Sequence, residues 1–472
     1  MPRPSPLVLA LDIGTSSVRS ALFDAEARLI RNSKVAQSYR VRHSVDRAAE
    51  LDPPVLLRAS KNCLRQTRRC LTKSRPVAIA ASCFWHSLLG LDRAGRPLTP
   101  IYTWADARCA PDAARLRERF DERTIQQRTG CMLRASFWPA KLAWLRRTEP
   151  RLFRCVARWV SPAEWVFEQI FGARGCSHSM ASGTGLYDVS RRDWDGELTE
   201  LFGLTNGQLG SLGDELESNS TTIFPAIGDG AAGNLGSGAT RPGQVAINLG
   251  TSAAVRTIAP SGARLPFGLF QFAIDRERNL LGGAVSNAGN LRAWALRELR
   301  LPEDQRAIER LLRKGGPGAN CLTILPFWVG ERAPTWPEML SGAVLGLNQA
   351  TTAADLLVAL LVAVCSRLAE ILERLEEATG PTKQIIVSGG IEQSPASLQL
   401  LADSLGRDLE VCADQEASLR GAAVHALKQL GYDVPRPKFK KRIRHDPAKA
   451  RQAHARRARQ NSLEKLLLSW EG

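Results

Sequence analysis

The sequence predicts an α/β protein made of two related domains. Its 472 residues exceed what one hydrophobic core usually serves. β-rich segments alternate with helical patterns along the chain, and a short motif recurs half a chain apart. The composition, with 44% hydrophobic and 24% charged residues, is that of a globular protein rather than a disordered one.

The first half opens with short β-rich runs separated by turn residues. The predicted strands of this half are 7–12, 18–24, 28–35 and 77–82. Leucine-rich spacing predicts helices over 54–71 and 110–123.

The motif that recurs is the strongest sign of two related halves. Leu11-Asp12-Ile13-Gly14-Thr15-Ser16 resembles Ile247-Asn248-Leu249-Gly250-Thr251-Ser252, and the two Gly-Thr-Ser triplets lie 236 residues apart. Each motif lies between two predicted strands, the second pair being 244–249 and 253–258. Downstream, the sequence predicts a strand over 384–388, a helix over 394–406, and a basic final helix that starts at Asp446-Pro447 and reaches Leu468. We therefore expect an N-terminal domain over 1–240, a C-terminal domain over 241–430, and a basic C-terminal helix or extension over 431–472.

Charge and cysteine usage exclude several classes of function. The net charge is +17, of which +8 lies in residues 431–472 and +9 in the rest. No nucleic-acid module accompanies this excess, so we do not expect nucleic acid as a partner. The ten cysteines lie singly and the six histidines are widely spaced, which argues against a zinc ribbon, a disulfide framework or a metal cluster. The longest apolar stretch, 356–365, is too short to span a bilayer and no signal peptide is evident, so we expect a cytoplasmic protein without a membrane partner.

Asp12 and the turn after it have the character of a phosphate site. Asp12 ends a predicted strand, and the glycine and hydroxyl-rich turn that follows can hold phosphate oxygens, while the carboxylate can hold Mg²⁺ directly or through water. A hairpin with an aspartate turn would explain the same residues. The repeat at Gly250 favours two phosphate turns that form a nucleotide cleft between the domains. Asn248 replaces Asp12 in the second turn, so only one half brings the charge for a metal.

The glycine-rich stretch 228–233 fits the dinucleotide pattern G-x-G-x-x-G, but we reject that interpretation. Gly236, Gly238 and Pro242 fall where the helix of such a motif should run, and no acidic residue follows about 20 positions on. Asp229 is better interpreted as a base on a flexible backbone that lets a substrate approach closely. A turn aspartate is the simpler alternative.

Two aromatic loops are typical of sugar sites. One carries Trp104, Asp106 and Arg108, and the other carries Trp85 and His86. Ring faces cover the C–H groups of a sugar, while Asp and Arg bind its hydroxyls. A core aromatic residue beside an ion pair would give the same pattern. No G-x-x-x-x-G-K-[ST] motif occurs, which excludes a P-loop kinase.

Together these motifs, in this order, resemble the FGGY family of carbohydrate kinases over residues 7–430. The family belongs to the actin and ribonuclease-H-like superfamily, so the resemblance implies two ribonuclease-H-like (actin-like ATPase) α/β domains related by an internal duplication, with a cleft between them. It implies ATP and Mg²⁺ as cofactors, Asp229 as the general base, and Asp12 as the residue that positions the metal. The expected sugar contacts are Trp85, His86, Trp104, Asp106, Arg108 and Gly230. The expected contacts to phosphate and nucleotide are Gly14, Thr15, Ser16, Ser17, Arg19, Gly250, Thr251, Gly289, Gly389, Gly390 and Ser394.

Within the family, the segments 82–90, 103–108, 181–186 and 330–334 look like those of gluconate kinases. We therefore expect ATP-dependent phosphorylation of gluconate to 6-phosphogluconate, with xylulose, ribulose or glycerol as alternative acceptors. A non-catalytic sugar or nucleotide sensor on the same fold, and an actin-like assembly ATPase, are alternatives of other classes. The expected partners are a small sugar or sugar acid and ATP, and a homodimer is left open. For gluconate, we expect Arg108 or His86 to bind the carboxylate, and the opposing interpretation is that Arg108 pairs with Asp106 to hold the loop.

Overall fold

The structure is a computed structural model, and it describes residues 6–71, 75–205, 207–216, 221–260, 262–318, 320–338, 340–413 and 416–470. The chain forms two compact units, each built from segments that are separate in sequence. Unit 1 comprises Met1–Gly236, Phe270–Leu280 and Glu416–Arg436, and unit 2 comprises Ser237–Leu269, Leu281–Gln415 and Pro437–Gly472. This division differs from our sequence boundaries at two segments, Phe270–Leu280 and Glu416–Arg436, which both belong to unit 1.

The secondary structure is numbered in chain order. The strands are β1 (Val8–Ile13), β2 (Ser17–Phe23), β3 (Val35–Ser38), β4 (Arg42–His43), β5 (Ala49–Leu51), β6 (Ala78–Cys83), β7 (Leu89–Leu91), β8 (Ile101–Tyr102), β9 (Arg158–Val160), β10 (Tyr187–Asp188), β11 (Asp193–Trp194), β12 (Thr222–Ile223), β13 (Ile227–Gly228), β14 (Gln244–Leu249), β15 (Ala253–Ile258), β16 (Phe270–Ala273), β17 (Asn279–Val285), β18 (Thr323–Leu325), β19 (Ala343–Leu345), β20 (Gln384–Ser388), β21 (Leu409–Cys412) and β22 (Phe439–Ile443).

The α-helices are α1 (Pro53–Arg68), α2 (Ala110–Arg119), α3 (Glu122–Thr129), α4 (Trp138–Thr148), α5 (Pro150–Cys155), α6 (Pro162–Phe171), α7 (His178–Ser182), α8 (Gly196–Phe202), α9 (Asp229–Ser237), α10 (Gly289–Glu298), α11 (Gln305–Lys314), α12 (Ala353–Thr379), α13 (Pro395–Leu405), α14 (Ala417–Gln429) and α15 (Pro447–Trp470). A short 3₁₀ helix covers Gly390–Gln393.

The main sheet of unit 1 has the strand order β12–β6–β1–β2–β3, and β13 also pairs with β6. β1 runs antiparallel to β2, whereas β1, β12 and β13 all run parallel to β6. β1 and β6 are buried along their whole length, as their continuous apolar runs predict for central strands. Because these parallel strands point the same way, the residues that follow them gather at one edge of the sheet.

The sheet of unit 2 repeats this arrangement. Its strands include β21–β20–β14–β15–β17 in that order, with β14 antiparallel to β15 and parallel to β20. Asn248 on β14 lies opposite Ser388 on β20, as Asp12 on β1 lies opposite Ser82 on β6. The predicted α/β fold with an internal duplication of the ribonuclease-H-like type is therefore confirmed.

Helix α12 forms much of the core of unit 2. It begins at a capping box in which the Thr352 side chain accepts from the Asp355 backbone N–H, and Asp355 accepts from the Thr352 N–H. One continuous apolar cluster joins α12 to β14, β20 and α13. The close packing of this cluster fixes the ends of the strands and helices from which the loops of unit 2 extend.

In unit 1, α14 packs against β1 and β6 and crosses α9 at very short range. A Cβ atom at Gly421 would lie 1.7 Å from the carbonyl oxygen of Ala232, and one at Gly236 would lie 1.8 Å from that of Ala417. Glycine at both positions therefore sets how closely the two helices approach.

The basic helix α15 is anchored by buried ion contacts within unit 2. Glu464 is 4% exposed and pairs with the buried Arg367 of α12 at 2.7 Å. Arg456 is also buried and donates to the carbonyl oxygen of Pro317 at 3.0 Å and to the side chain of Asn320 at 2.6 Å. Part of the positive charge of α15 therefore holds the helix in place, while other cationic residues of the helix, such as Arg451 and Arg459, are exposed to solvent.

Three details of the sequence prediction are wrong. The predicted strand over 28–35 is mostly a turn, because the Asp24 carboxylate accepts from the backbone N–H of Glu26 and Arg28, and the strand forms later as β3. The predicted helix over 110–123 ends at Arg119, because Asp121 caps the next helix, α3. A helix does run through the glycine-rich stretch, since α9 begins at Asp229.

The dinucleotide interpretation still fails, because the main sheet of unit 1 contains the antiparallel strands β2 and β3. The predicted strands 244–249, 253–258 and 384–388 and the final helix are confirmed. Within the ranges that the structure describes, no helix combines the length and the apolar character needed to cross a bilayer.

Candidate active site

One edge of the unit 1 sheet brings together several of the candidate site residues of that unit. Asp12 lies near the end of β1, Ser82 lies at the same level on β6, and Asp229 directly follows β13. Trp85 and His86 follow the end of β6. Parallel pairing thus brings together residues that are up to 217 positions apart in the sequence.

Asp12 is the most buried carboxylate at this edge, with 2% of its surface exposed. Its Oδ1 accepts from the Ser82 hydroxyl at 2.6 Å, and its Oδ2 accepts from the Arg19 guanidinium at 2.5 Å. Burial raises the pKa of the Asp12 carboxyl above its ordinary value, although Arg19 and Ser82 oppose that shift. Arg19 also pairs with Glu416 at 3.0 Å, and Lys34 pairs with Glu416 at 2.6 Å, so opposite charges alternate from Asp12 outwards.

The turn that follows β1 carries the predicted phosphate residues of unit 1. The Gly14 N–H donates to the carbonyl oxygen of Ser17 at 2.9 Å, which closes the turn. The Tyr39 hydroxyl donates to the Gly14 carbonyl, and Trp104 Nε1 donates to the Thr15 hydroxyl at 3.2 Å. Ser16 is exposed, and Gly14, Thr15, Ser17 and Arg19 are partly exposed, so these predicted residues lie together beside Asp12.

Asp229 is the first residue of α9 rather than part of a flexible loop, which corrects our expectation of a mobile backbone. Its Oδ1 accepts from the Gly230 N–H at 2.8 Å, and the side chain is half-buried. The close packing of α9 against α14 therefore determines where this carboxylate lies.

Trp85 and His86 form an aromatic cage with Phe137 and Phe272. The ring centroids of Trp85 and Phe272 are 4.7 Å apart, and those of His86 and Phe137 are 4.8 Å apart. Trp85 Nε1 donates to the carbonyl oxygen of Ser179 at 2.9 Å, which fixes the indole. His86 adopts a left-handed backbone conformation, with φ of 68°, and its Nδ1 contacts the Gly183 carbonyl.

Two glycines make room for the Trp85 indole. A Cβ atom at Gly228 would lie 1.7 Å from the indole ring, and one at Gly183 would lie 2.3 Å from it. Gly228 immediately precedes Asp229, so the indole and the carboxylate are held next to each other by the backbone.

The loop with Trp104, Asp106 and Arg108 is held by a half-buried ion network. Arg108 donates to Asp106 at 2.6 Å and to Glu50 at 2.5 Å, and its guanidinium lies 4.6 Å from the centroid of the Trp144 ring. Asp106 is 2% exposed and also accepts from the Ala49 N–H. These contacts favour the interpretation in which Arg108 holds the loop.

Unit 2 contains a pocket of about 750 Å³. Of the predicted nucleotide residues, Gly250, Thr251, Gly289, Gly390 and Ser394 line it. Gly389 does not line the pocket. Its backbone φ of 99° favours glycine, and a Cβ atom at this position would lie only 2.7 Å from the carbonyl oxygen of Leu249. The Ser394 hydroxyl caps α13 and contacts Glu309 at 2.5 Å.

The remaining walls of the pocket suit a ligand with a flat apolar part and a polar part. The apolar side is formed by Leu361, Val364, Ile391 and Leu400, and the polar side by Asn290, Arg292, Arg297, Gln305 and Gln393. The N-terminus of α10 points its partial positive charge towards the pocket at Gly289. The Gly289 N–H itself donates to the Gly250 carbonyl at 2.9 Å, which ties the turn after β14 to α10.

Sequence reasoning missed Glu416, Phe137, Phe272 and the polar wall of the unit 2 pocket. Phe137 and Phe272 lie in aromatic-rich runs, Ser136-Phe137-Trp138 and Phe270-Gln271-Phe272, which could have signalled an aromatic cluster. No local signal marks Glu416, because it reaches Arg19 from 397 positions away.

The described residues contain no cluster of three or more His, Cys, Asp and Glu side chains that could cage a metal. Mg²⁺ commonly takes one or two carboxylates from the protein and its other ligands from water and phosphate. Asp12 fits such an ion, because it is a single buried carboxylate beside a phosphate-type turn.

Comparison with known proteins gives the family. Residues 7–239 match the model of the N-terminal domain of the FGGY family of carbohydrate kinases, and residues 245–430 match that of its C-terminal domain. The gluconokinase of Bacillus subtilis (strain 168) is 26% identical over 451 residues, which cover 90% of this chain and 88% of that protein. The xylulose kinase of Streptomyces rubiginosus is 30% identical over 447 residues, which cover 91% and 89% respectively.

The fold agrees with that of solved kinases. The crystal structure of a gluconate kinase from Lactobacillus acidophilus superimposes with a TM-score of 0.90 at 23% identity and covers 98% of both chains. The chain therefore belongs to the FGGY family of carbohydrate kinases and is a phosphotransferase.

Proposed function

We propose that this protein transfers the γ-phosphoryl group of Mg-ATP to a hydroxyl of gluconate. The observation that carries the proposal is the convergence, at one sheet edge of unit 1, of Asp229, Asp12 and the aromatic cage. Gluconate is supported by the similarity to the gluconokinase of Bacillus subtilis. The higher identity to a xylulose kinase makes xylulose the first alternative acceptor.

In this mechanism Asp229 is the general base. Its carboxylate accepts the proton of the acceptor hydroxyl as the oxygen attacks phosphorus, and the helix start at α9 holds it in place. Of the cage rings, the partly exposed His86 would cover the C–H face of the acceptor and exclude water from it, while the buried rings of Trp85, Phe137 and Phe272 hold His86 in place.

Asp12 and the turn after β1 serve the phosphates. The hydroxyls of Thr15, Ser16 and Ser17 would supply donors for phosphate oxygens, and Arg19, whose terminal nitrogens are paired with Asp12 and Glu416, would add positive charge beside them. Asp12 would hold Mg²⁺, directly or through water, and the ion when bound neutralises phosphate charge. In unit 2, the apolar wall of the pocket would take the adenine ring, and the turn at Gly250 and Thr251 would take phosphate oxygens.

The test of this function is ADP release with gluconate, xylulose, ribulose and glycerol as acceptors. We expect the highest kcat/KM with gluconate. A preference for xylulose or glycerol would contradict the gluconate assignment and leave the kinase assignment intact. Sugar binding without ADP release from any acceptor would instead support the sensor, and ATP-dependent sedimentation would support the assembly ATPase.

Replacing Asp229 with Asn should lower kcat by about 10²–10⁴-fold, because the base is lost while the shape is nearly kept. ATP affinity should be unchanged, as measured by nucleotide titration. Asp193→Asn, at an exposed aspartate of the same unit, is the control and should retain full turnover. Near-normal turnover in Asp229→Asn would show that another group accepts the proton.

Asp12 and Asn248 form a matched pair for testing the metal assignment, since each lies opposite a serine on the neighbouring parallel strand. Asp12→Ala should lower kcat/KM for Mg-ATP by about one to two decades, because it removes a charge-assisted contact of roughly 1.5–3 kcal/mol. Asn248→Ala should have a much smaller effect. Activity measured against Mg²⁺ concentration separates them, and equal losses would refute the assignment of the metal to Asp12.

Arg108→Ala should reduce kcat/KM for gluconate and xylulose by the same factor, because the guanidinium is already paired with Asp106 and Glu50. Kinetics with both sugars check this, with Arg96→Ala, at an exposed arginine paired with Asp92, as the control. A loss confined to gluconate would restore Arg108 as the group that binds the carboxylate.

A further inference from the structure

Lys141 is the fourth residue of α4, and its side chain is completely enclosed in unit 1. It is 1% exposed and ranks among the largest fully buried side chains of the protein. Its ammonium donates to the carbonyl oxygen of Ala135 at 2.9 Å and to that of Ser136 at 2.5 Å. The described residues place no carboxylate within ion-pair distance of it.

Such a lysine is costly to the fold. Burial strips water from the ammonium and lowers the pKa of Lys141, although the charge of Asp106 opposes the shift. A cation within the first turns of a helix is also disfavoured by the helix dipole. An apolar side chain of similar size, such as Met, would avoid the desolvation cost of a buried ammonium. A buried lysine at this position therefore indicates a specific role for its hydrogen bonds.

The two carbonyls that Lys141 holds are the centre of a tight turn. The Phe137 N–H donates to the Arg134 carbonyl at 3.1 Å, which closes a turn over residues 134–137 and leaves the carbonyls of Ala135 and Ser136 to be satisfied from elsewhere. Lys141 satisfies both. The turn delivers Phe137 to the His86 ring, at a centroid distance of 4.8 Å.

The same turn is also tied to the loop that carries Asp106. The Cys109 thiol donates to the Ala135 carbonyl at 3.2 Å, so that oxygen receives both Cys109 and Lys141. Directly after the turn, Trp138 Nε1 donates to the Ser87 carbonyl at 3.2 Å. The turn and Trp138 thus contact two other segments, one through Cys109 and one through Ser87, and Lys141 donates to both central carbonyls of the turn.

We propose that Lys141 is a positioning residue for the acceptor site, which holds the turn over 134–137 so that Phe137 packs against His86. The inference rests on the proposed function, because it assigns acceptor binding to the aromatic cage. Lys141 does not contact the acceptor in this assignment and acts through Phe137.

The first test compares Lys141→Met with the native enzyme. The KM for the accepted sugar should rise about 3- to 10-fold, the factor that corresponds to losing one aligned aromatic contact. The KM for ATP and kcat should change by less than about 2-fold. Phe137→Leu should reproduce the rise, and the double variant should be no worse than either single variant, since both act on the same contact.

The control is Asp195→Asn, which removes a buried charge elsewhere in unit 1, where Asp195 caps α8 and pairs with Arg128. It should lower the Tm and leave the sugar KM unchanged. An unchanged sugar KM in Lys141→Met, or a fully additive double variant, would overturn the proposal. If Lys141→Met does not fold, Cys109→Ala removes the other donor to Ala135 and should raise the sugar KM about 2-fold, and no change there or in Phe137→Leu would also overturn it.

Hydrogen exchange provides a readout that does not depend on activity. Amides of residues 134–138 should exchange faster in Lys141→Met than in the native protein, and should be unchanged in Asp195→Asn. Absence of ADP release with every sugar would refute the proposed function, while the exchange data would still decide whether Lys141 positions the turn. Equal exchange at 134–138 in all three proteins would refute that role.

Discussion

The parallel pairing of β1 with β6 is the constraint on which the rest of unit 1 depends. Its register places Asp12 opposite Ser82, and it brings the chain after β6, with Trp85 and His86, to the same edge as the turn after β1. β13 joins the same strand, so Asp229 arrives there as well. A shift of one residue in this register would turn the alternate side chains of a fully buried strand to the wrong face, and it would separate the charged groups from the aromatic ones.

The duplicated register in unit 2 shows how one scaffold serves two kinds of chemistry. β14 and β20 place Asn248 opposite Ser388, at 3.1 Å between the amide nitrogen and the hydroxyl. Asp12 and Ser82 occupy the equivalent positions in unit 1, at 2.6 Å. The amide carries no charge, whereas the carboxylate needs Arg19 as a counter-ion in its buried position. The fold thus tolerates either residue, and the choice between them follows from the ligand that each half is proposed to bind.

Much of this arrangement could be predicted from the sequence, because it depends on patterns of neighbouring residues. The repeated motif and the apolar strands predicted β14, β15 and β20 to the residue, and the motifs brought Asp12, Asp229 and His86 forward as candidates. What failed depends on contacts between distant segments. Gly236 suggests a break when it is considered locally, yet α9 runs through it, and in the fold Gly236 and Gly421 allow α9 and α14 to touch. The placement of Glu416 beside Arg19 is of the same kind.

The acceptor side of unit 1 shows how buried charge and an apolar cage support each other. The charge of Arg108 is met by Asp106 and Glu50, whereas the Lys141 ammonium has no carboxylate within ion-pair distance among the described residues. Arg108 already donates to both acids and Lys141 to two carbonyl oxygens, so these hydrogen bonds stabilise the fold and are not directed at a ligand. In the function proposed here, the acceptor would therefore meet the partly exposed His86 ring, which packs on the buried rings of Phe137 and Phe272. Recognition by ring faces depends on which C–H groups a sugar presents, so the configuration of the acceptor, more than its charge, would decide how well it fits this cage.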